Sequence, residues 1–166
     1  MELSTYLLPE SGNMPNNDRL ALLVYASAVA CDRPDPAVLF EQAFDAHSWP
    51  SAWRNGIFPY HHYHSTAHEA LGVYRGTVSV RFGGEDGVIV AASAGDVIIV
   101  PAGVAHKCVG HSADLGIVGA YPRGQIPDTC DGSNYTEDRR TIAGLGIPQM
   151  DPMFGDSGPM LDHWRA

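Results

Sequence analysis

The chain has 166 residues, of which 45% are apolar and 17% charged, and its formal net charge is -9. That length supports one domain with a full hydrophobic core and is short for two. The small charged fraction argues against long disordered or coiled-coil segments, and the acidic balance disfavours a nucleic-acid partner, whose phosphates it would repel.

No apolar run approaches the roughly 20 residues that span a bilayer, so no membrane partner is expected. The first residues, MELSTYLLPESG, lack the basic region and long apolar core of a signal peptide. Cys31, Cys108 and Cys130 are widely spaced with no CxxC pairing, and they read as free thiols in a reducing compartment. A cytoplasmic location is therefore expected.

Residues 1 to 19 are polar and carry Pro and Asn, which predicts a segment draped over the domain. LALLVYASAV (20 to 29) predicts a first strand. DPAVLFEQAFDAH predicts a short amphipathic helix, with Asp35 as N-cap, Pro36 in the first turn, and Leu39, Phe40, Ala43, Phe44 and His47 at helical spacing. From Gly56 the period changes to two. GIFPYHHYH, EALGVYRG, TVSVRFGG, VIVAAS, DVIIVP, HKCVG and LGIVGAY are strand-like runs punctuated by Gly, Pro, Asp or Ser, and FGGEDG (82 to 87) is a hairpin signal. Beyond Tyr121 the pattern is irregular. Short strands without intervening helices predict an all-β antiparallel sandwich or barrel. The expected organisation is a single domain over 1–166, with a barrel core at about 56–121 and an N-terminal strand and helix extension over 20–48.

The chemistry concentrates in HYHSTAHEALGVYRG. On a strand, Phe58, Tyr60, His62 and His64 share one face, while His61 and Tyr63 point the other way. Two imidazoles at i and i+2 project in parallel, about 7 Å apart at the backbone, and can converge on one cation. If the following strand is a neighbour, Glu69 lies near that pair, with Leu71 and Val73 following it into the core. In AGDVIIVPAGVAH, a tight Pro101-Ala102-Gly103 turn precedes His106 and would aim its imidazole inward. Three neutral imidazoles and a carboxylate suit Mn, Fe, Ni, Co or Zn, with positions left open for a substrate.

These stretches resemble the two cupin motifs. Gly56, His62, His64, Glu69 and Gly76 fall in register with G-x5-H-x-H-x4-E-x6-G, and Gly95, Pro101, Gly103 and His106 with G-x5-P-x-G-x2-H. Gly110 stands where the second motif commonly has an Asn that is not a ligand. The resemblance, to small bacterial single-domain metal-binding cupins, implies a single cupin jelly-roll β-barrel, here with a short N-terminal helix and an irregular C-terminal tail. It implies His62, His64, Glu69 and His106 as metal ligands, with Glu69 also the candidate catalytic group.

The neighbouring residues have plainer readings. His61 and His68 are expected to be solvated or hydrogen-bonded, with His68 alternatively supporting Glu69. Phe58 and Tyr60 read as inward aromatics, Cys108 as a small hydrophobe, and Arg75 as a solvent-facing strand end. Function is expected to be that of a metal-dependent cupin enzyme acting on a small polar metabolite, with a dioxygenase-type oxidoreductase ahead of an isomerase or decarboxylase. The alternative is a non-catalytic metal-containing binding protein. Exposed sheet edges and the apolar LALLVY segment predict a homodimer.

Overall fold

The computed structural model describes residues 1–165, and its strands are built from the apolar runs of the sequence. In chain order the elements are β1 (Glu2–Leu8), β2 (Asn17–Ala26), α1 (Ala37–Ala46), β3 (Ser51–Asn55), β4 (Glu69–Arg75), β5 (Thr77–Phe82), β6 (Val88–Ser93), β7 (Val97–Val100), β8 (His106–His111), β9 (Gly116–Ala120), α2 (Tyr135–Gly144) and α3 (Pro159–His163). They form a six-stranded sheet, ordered β1-β2-β7-β4-β9-β3, and a three-stranded sheet, ordered β6-β5-β8. Every pairing is antiparallel. This is an antiparallel two-sheet jelly roll, the fold class that the sequence leads one to expect.

The two sheets enclose one apolar core. Leu22, Val24, Leu71, Val73, Ile98 and Ile117 come from the large sheet, and Val78, Val80, Phe82 and Val90 from the small one. The large sheet has a second buried face. There Leu23, Tyr25, Ala70, Ile99 and Val118 pack beneath Phe40 and Phe44 of α1, together with Trp49, Met160 and Trp164. Burial on both faces explains why VIIV and GIVGA read as unbroken apolar runs, whereas TVSVRF alternates. A strand covered on one side only needs apolar side chains at every second position. On β4 this parity sends Glu69 inward with Leu71 and Val73, and Ala70 outward beneath the helix.

Several expectations are corrected. Residues 1 to 19 do not drape: β1 pairs with β2 along Glu2↔Ala26 to Tyr6↔Leu22, so LALLVY lies between two strands and offers no free edge. Asp35 caps nothing. Pro36 stands at the N-cap of α1, and the Asp35 carboxylate accepts from Arg54, whose guanidinium also holds Glu41. GIFPYHHYH is not a strand, because Pro59 supplies no N–H to a ladder. The strand lies just before it, as β3, and the histidine segment makes only the isolated bridges His62↔His106 and Tyr63↔Cys130. The C-terminal tail is more ordered than expected. It holds α2, whose charged YTEDRRTIAG buries only Asp138, and α3, which buries Met160.

β3 is attached to the edge of the large sheet by an aromatic–glycine pair. Trp53 lies opposite Gly119 of β9, and a Cβ added at Gly119 would stand 2.0 Å from Trp53 Cε2. The indole therefore rests on bare backbone. Gly119→Ala should displace it and destabilise the fold by about 1–3 kcal/mol, the usual range for overpacking. The expected result is a melting temperature lowered by several degrees, partly restored by adding Trp53→Phe; an unchanged melting temperature would show that the indole moves aside freely.

Candidate metal centre

Backbone contacts bring the histidine segment and β8 together. His62 N–H donates to His106 O at 3.3 Å and His106 N–H returns to His62 O at 2.9 Å, which sets the two rings 4.1 Å apart between centroids. Gly103 N–H donates to His64 O at 2.8 Å. Gly103 itself has φ 89°, in the left-handed region open to glycine. A Cβ there would meet Asn16 O at 2.5 Å. The side chain of Asn16 accepts from Ala105 N–H and donates to Gly83 O, so the turn that aims His106 is held from two directions. The outcome is a cluster of three buried imidazoles, His62, His64 and His106, whose potential ligand nitrogens all lie within 4.8 Å of one another.

Each of these rings is tied to a main-chain carbonyl through Nδ1. His62 Nδ1 meets Tyr60 O at 3.1 Å, His106 Nδ1 meets Val104 O at 3.0 Å, and His64 Nδ1 meets Asp128 O. A carbonyl can only accept, so Nδ1 carries the proton, and a neutral ring then keeps its lone pair on Nε2. Glu69 stands in the same space. Its Oε2 lies 3.2 Å from His106 Nε2 and 3.4 Å from His64 Nε2, yet this buried oxygen has no hydrogen-bond partner. Lone pairs facing a carboxylate oxygen without a proton between them repel, and a cation among them removes the conflict. The donor set therefore fits a divalent ion, and the three histidines could hold one.

The local electrostatics agree. Burial, and then the nearby His106 ring, push His62 down to about 3. Burial would likewise lower His64 and raise Glu69, but the carboxylate draws a proton onto the facing Nε2 strongly enough to outweigh it: His64 is raised, and Glu69 is held well below the usual carboxylate range by His106 and then His64. The carboxylate is ionised, and a proton or a metal ion would meet the same negative field at His64 Nε2.

A cavity of about 270 Å³ opens beside His62, His64 and Glu69. Trp53, Ile57, Phe58, Leu71 and Pro127 give it apolar walls, and Asn55, Tyr121 and Thr129 its other polar groups. Tyr121 accepts from Trp53 Nε1–H at 3.0 Å, and burial followed by the Glu69 charge pushes its phenol up. The loop after β9 closes the site. Besides the Asp128 carbonyl on His64, the Asp128 carboxylate accepts from Ser65 N–H at 2.6 Å and from the Ser65 hydroxyl, while Thr66 Oγ1 donates to Ile126 O at 2.7 Å.

Of the residues singled out in the sequence, His62, His64, Glu69 and His106 are brought together, and all four are buried. His61 points away and meets Glu85 at 2.9 Å. His68 is not solvated. It is buried on the outer face of the sheet, where its Nδ1 accepts from Ala102 N–H at 2.9 Å and its ring packs 4.8 Å from Trp164. Phe58 and Tyr60 are not core aromatics: they stack on each other at 5.0 Å and are 49% and 52% exposed. Phe58 still lines the cavity, and Tyr60 supplies only its carbonyl. Cys108 packs against the core as a small hydrophobe, and Arg75 is exposed. Tyr121, Trp53 and Asp128 were missed. Tyr121 closes the LGIVGAY run and Trp53 stands just before GIFPYHHYH, whereas nothing local marks Asp128.

No protein-family model matches the chain. An uncharacterised protein of Bacillus subtilis (strain 168), YjlB, is 36% identical over 165 residues, covering 98% of this chain and 97% of that protein. Solved structures with some likeness include a DUF861 family protein from Thermotoga maritima, with 21% identity, 53% of this chain and 92% of that one covered, and a TM-score of 0.32. Procruciferin, an 11S globulin from Brassica napus, has 13% identity, coverage of 95% and 38%, and a TM-score of 0.37. Streptomyces albus HEPD, with 2-hydroxyethylphosphonate and Fe(II) bound, has 12% identity, coverage of 89% and 28%, and a TM-score of 0.30. Likenesses this distant carry no argument about the present site. Among the described residues no helix is long and apolar enough to cross a membrane.

His68 gives a test of the buried surroundings without any ligand. Burial pushes it from 6.5 down to about 4, so the folded state keeps it neutral while the unfolded chain takes up a proton. Its contribution to stability is present above about pH 6.5 and is lost as pH falls toward the folded value. Urea midpoints of metal-free protein at about pH 7.5 and about pH 5 should differ less in His68→Gln than in wild type; an equal difference would mean that His68 does not drive the loss.

Proposed function

We propose a metal-dependent role for this chain, which belongs to the same family as the Bacillus YjlB protein and folds as a cupin: it holds one divalent transition-metal ion on His62, His64, Glu69 and His106 and acts as an enzyme on a small molecule. One observation carries the reading. Three rings have Nδ1 committed to backbone carbonyls, and the Glu69 oxygen among them has no partner of its own. Imidazole and carboxylate together suit Mn, Fe, Ni, Co or Zn. Such an ion would supply Lewis acidity toward an oxygen of the bound molecule.

The remaining work falls to the chain itself. The apolar walls exclude water, and the loop at Asp128 fixes the orientation of His64. Glu69 is the one acid among the described residues lining the cavity, so its carboxylate is the group available to accept a hydrogen bond from the substrate. No Lys or Arg lines the cavity, which disfavours isomerisation of phosphorylated sugars and keeps a dioxygenase-type oxidoreductase as the leading reaction class. A decarboxylase, another isomerase or a non-catalytic binding protein is the alternative. Three free cysteines fit a reducing compartment such as the cytoplasm. β1, β3, β6 and β8 each leave an edge without a strand neighbour, and the proposal includes a homodimer formed through one of them.

Elemental analysis of the protein purified without added metal, followed by oxygen-consumption screening against small-molecule panels, tests the enzyme reading; binding without turnover would favour the non-catalytic one. His62→Ala and His106→Ala should each lose most of the bound metal, and His61→Ala should keep it. Full metal content in the first two would sink the ligand assignment. Because protons and metal compete for the same nitrogens, metal content after dialysis should fall below about pH 6.5. Light scattering at micromolar concentration checks the assembly: a mass near 17.8 kDa would mean a monomer.

A further inference from the structure

The phenol of Tyr121 is placed for recognition as well as packing. A phenol oxygen carries one proton and accepts elsewhere, and here the accepting side is taken by Trp53 Nε1–H at 3.0 Å. The indole is itself fixed, because it lies across Gly119 with no room for displacement toward the backbone. With the indole N–H on one side, the phenol proton turns to the other, where the cavity and Glu69 lie. The ring also stands edge-on to His64, 5.7 Å between centroids. Tyr121 thus offers a hydrogen-bond donor to the cavity beside His64 and Glu69, and its orientation is set before anything binds.

The lining also limits what the donor can serve. At about 270 Å³ the space sits at the lower edge of the roughly 300–1,000 Å³ usual for ligand pockets, so the occupant is small. A divalent ion, one carboxylate and three neutral imidazoles leave a single positive charge, and no Lys or Arg among the lining residues adds to it. One negative charge balances the site, while a second would stand desolvated and unpaired. The walls formed by Trp53, Ile57, Phe58, Leu71 and Pro127 call for an apolar body behind that charge.

Resting on the metal reading above, we propose that Tyr121 recognises the ligand of this site, donating its proton to the metal-facing oxygen of a small, singly charged oxygen acid with an apolar body. The test uses benzoate as the monoanionic probe and methylphosphonate, in buffer alkaline enough to remove its second proton, as the dianionic one. Both are titrated calorimetrically into zinc-loaded wild-type protein and zinc-loaded Tyr121→Phe, with metal content measured on the same samples. Benzoate should bind wild type more tightly than methylphosphonate does. Tyr121→Phe should keep its full metal content and bind benzoate about tenfold more weakly, the loss expected for one hydrogen bond to a charged acceptor. Equal benzoate affinity in metal-replete Tyr121→Phe, no benzoate binding to metal-replete wild type, or tighter binding of methylphosphonate would each overturn this proposal and leave the metal centre standing. Wild-type protein that holds no zinc would overturn the metal reading, and this one with it.

Discussion

An ionised carboxylate almost wholly removed from water is the constraint on which the rest of the molecule turns. Glu69 is 2% exposed at the head of β4, and an isolated charge in such a place would neutralise or refuse burial. A proton or a cation shared with the Nε2 atoms of His106 and His64, which stand against it, is what holds it ionised. Those rings in turn can face it only because their outer nitrogens are engaged by Val104 and Asp128 carbonyls. The dependence runs outward from one side chain to two loops, and from the loops to Asn16 and Ser65, which hold them. Much of the polar hydrogen bonding around the barrel mouth is a support for this one charge.

The apolar architecture answers a different demand. A sheet buried on both faces leaves no solvent-facing side along β7 and β9, so rigidity there comes from packing. Trp53 on Gly119 is one example, and the layer of Phe40 and Phe44 over Ala70 and Ile99 is another. The wall of the cavity belongs to the same system, since Leu71 lines the cavity and also packs in the core. A ligand there would press on side chains that are themselves close-packed, and a wall of this kind selects by shape.

How much of this could be read from residues alone follows from the range of the interactions. Strands β4 to β9 were legible because period two and turn residues are local properties. The gathering of His62, His64, Glu69 and His106 was legible because their spacing matches the two cupin motifs, although the strand that parity assumed for the histidines is absent. What went unread depends on partners far away in sequence. Asp128 meets Ser65 across 63 positions, and nothing in IPDTC marks it. The β1–β2 pairing was hidden because β1 is an edge strand with half-exposed residues, and α2 because it is charged and buries little. Pro59 was the one local signal against a strand through the histidines. Alternation masks it: period two turns Phe58 and Tyr60 inward, whereas they stack on each other in the open.

The carbonyl of Asp128 and the Tyr63–Cys130 bridge have a consequence for the order in which the protein is made. All four of the grouped side chains have left the ribosome well before residue 128 does. A nascent chain that has just completed β9 already owns the imidazoles and the carboxylate, yet His64 lacks the acceptor that fixes its tautomer and the loop that shields it. In such a chain the contacts of Asp128 with His64 and Ser65, and of Cys130 with Tyr63, are still to form. The final geometry of the cluster therefore depends on residues that are made after all four of its side chains.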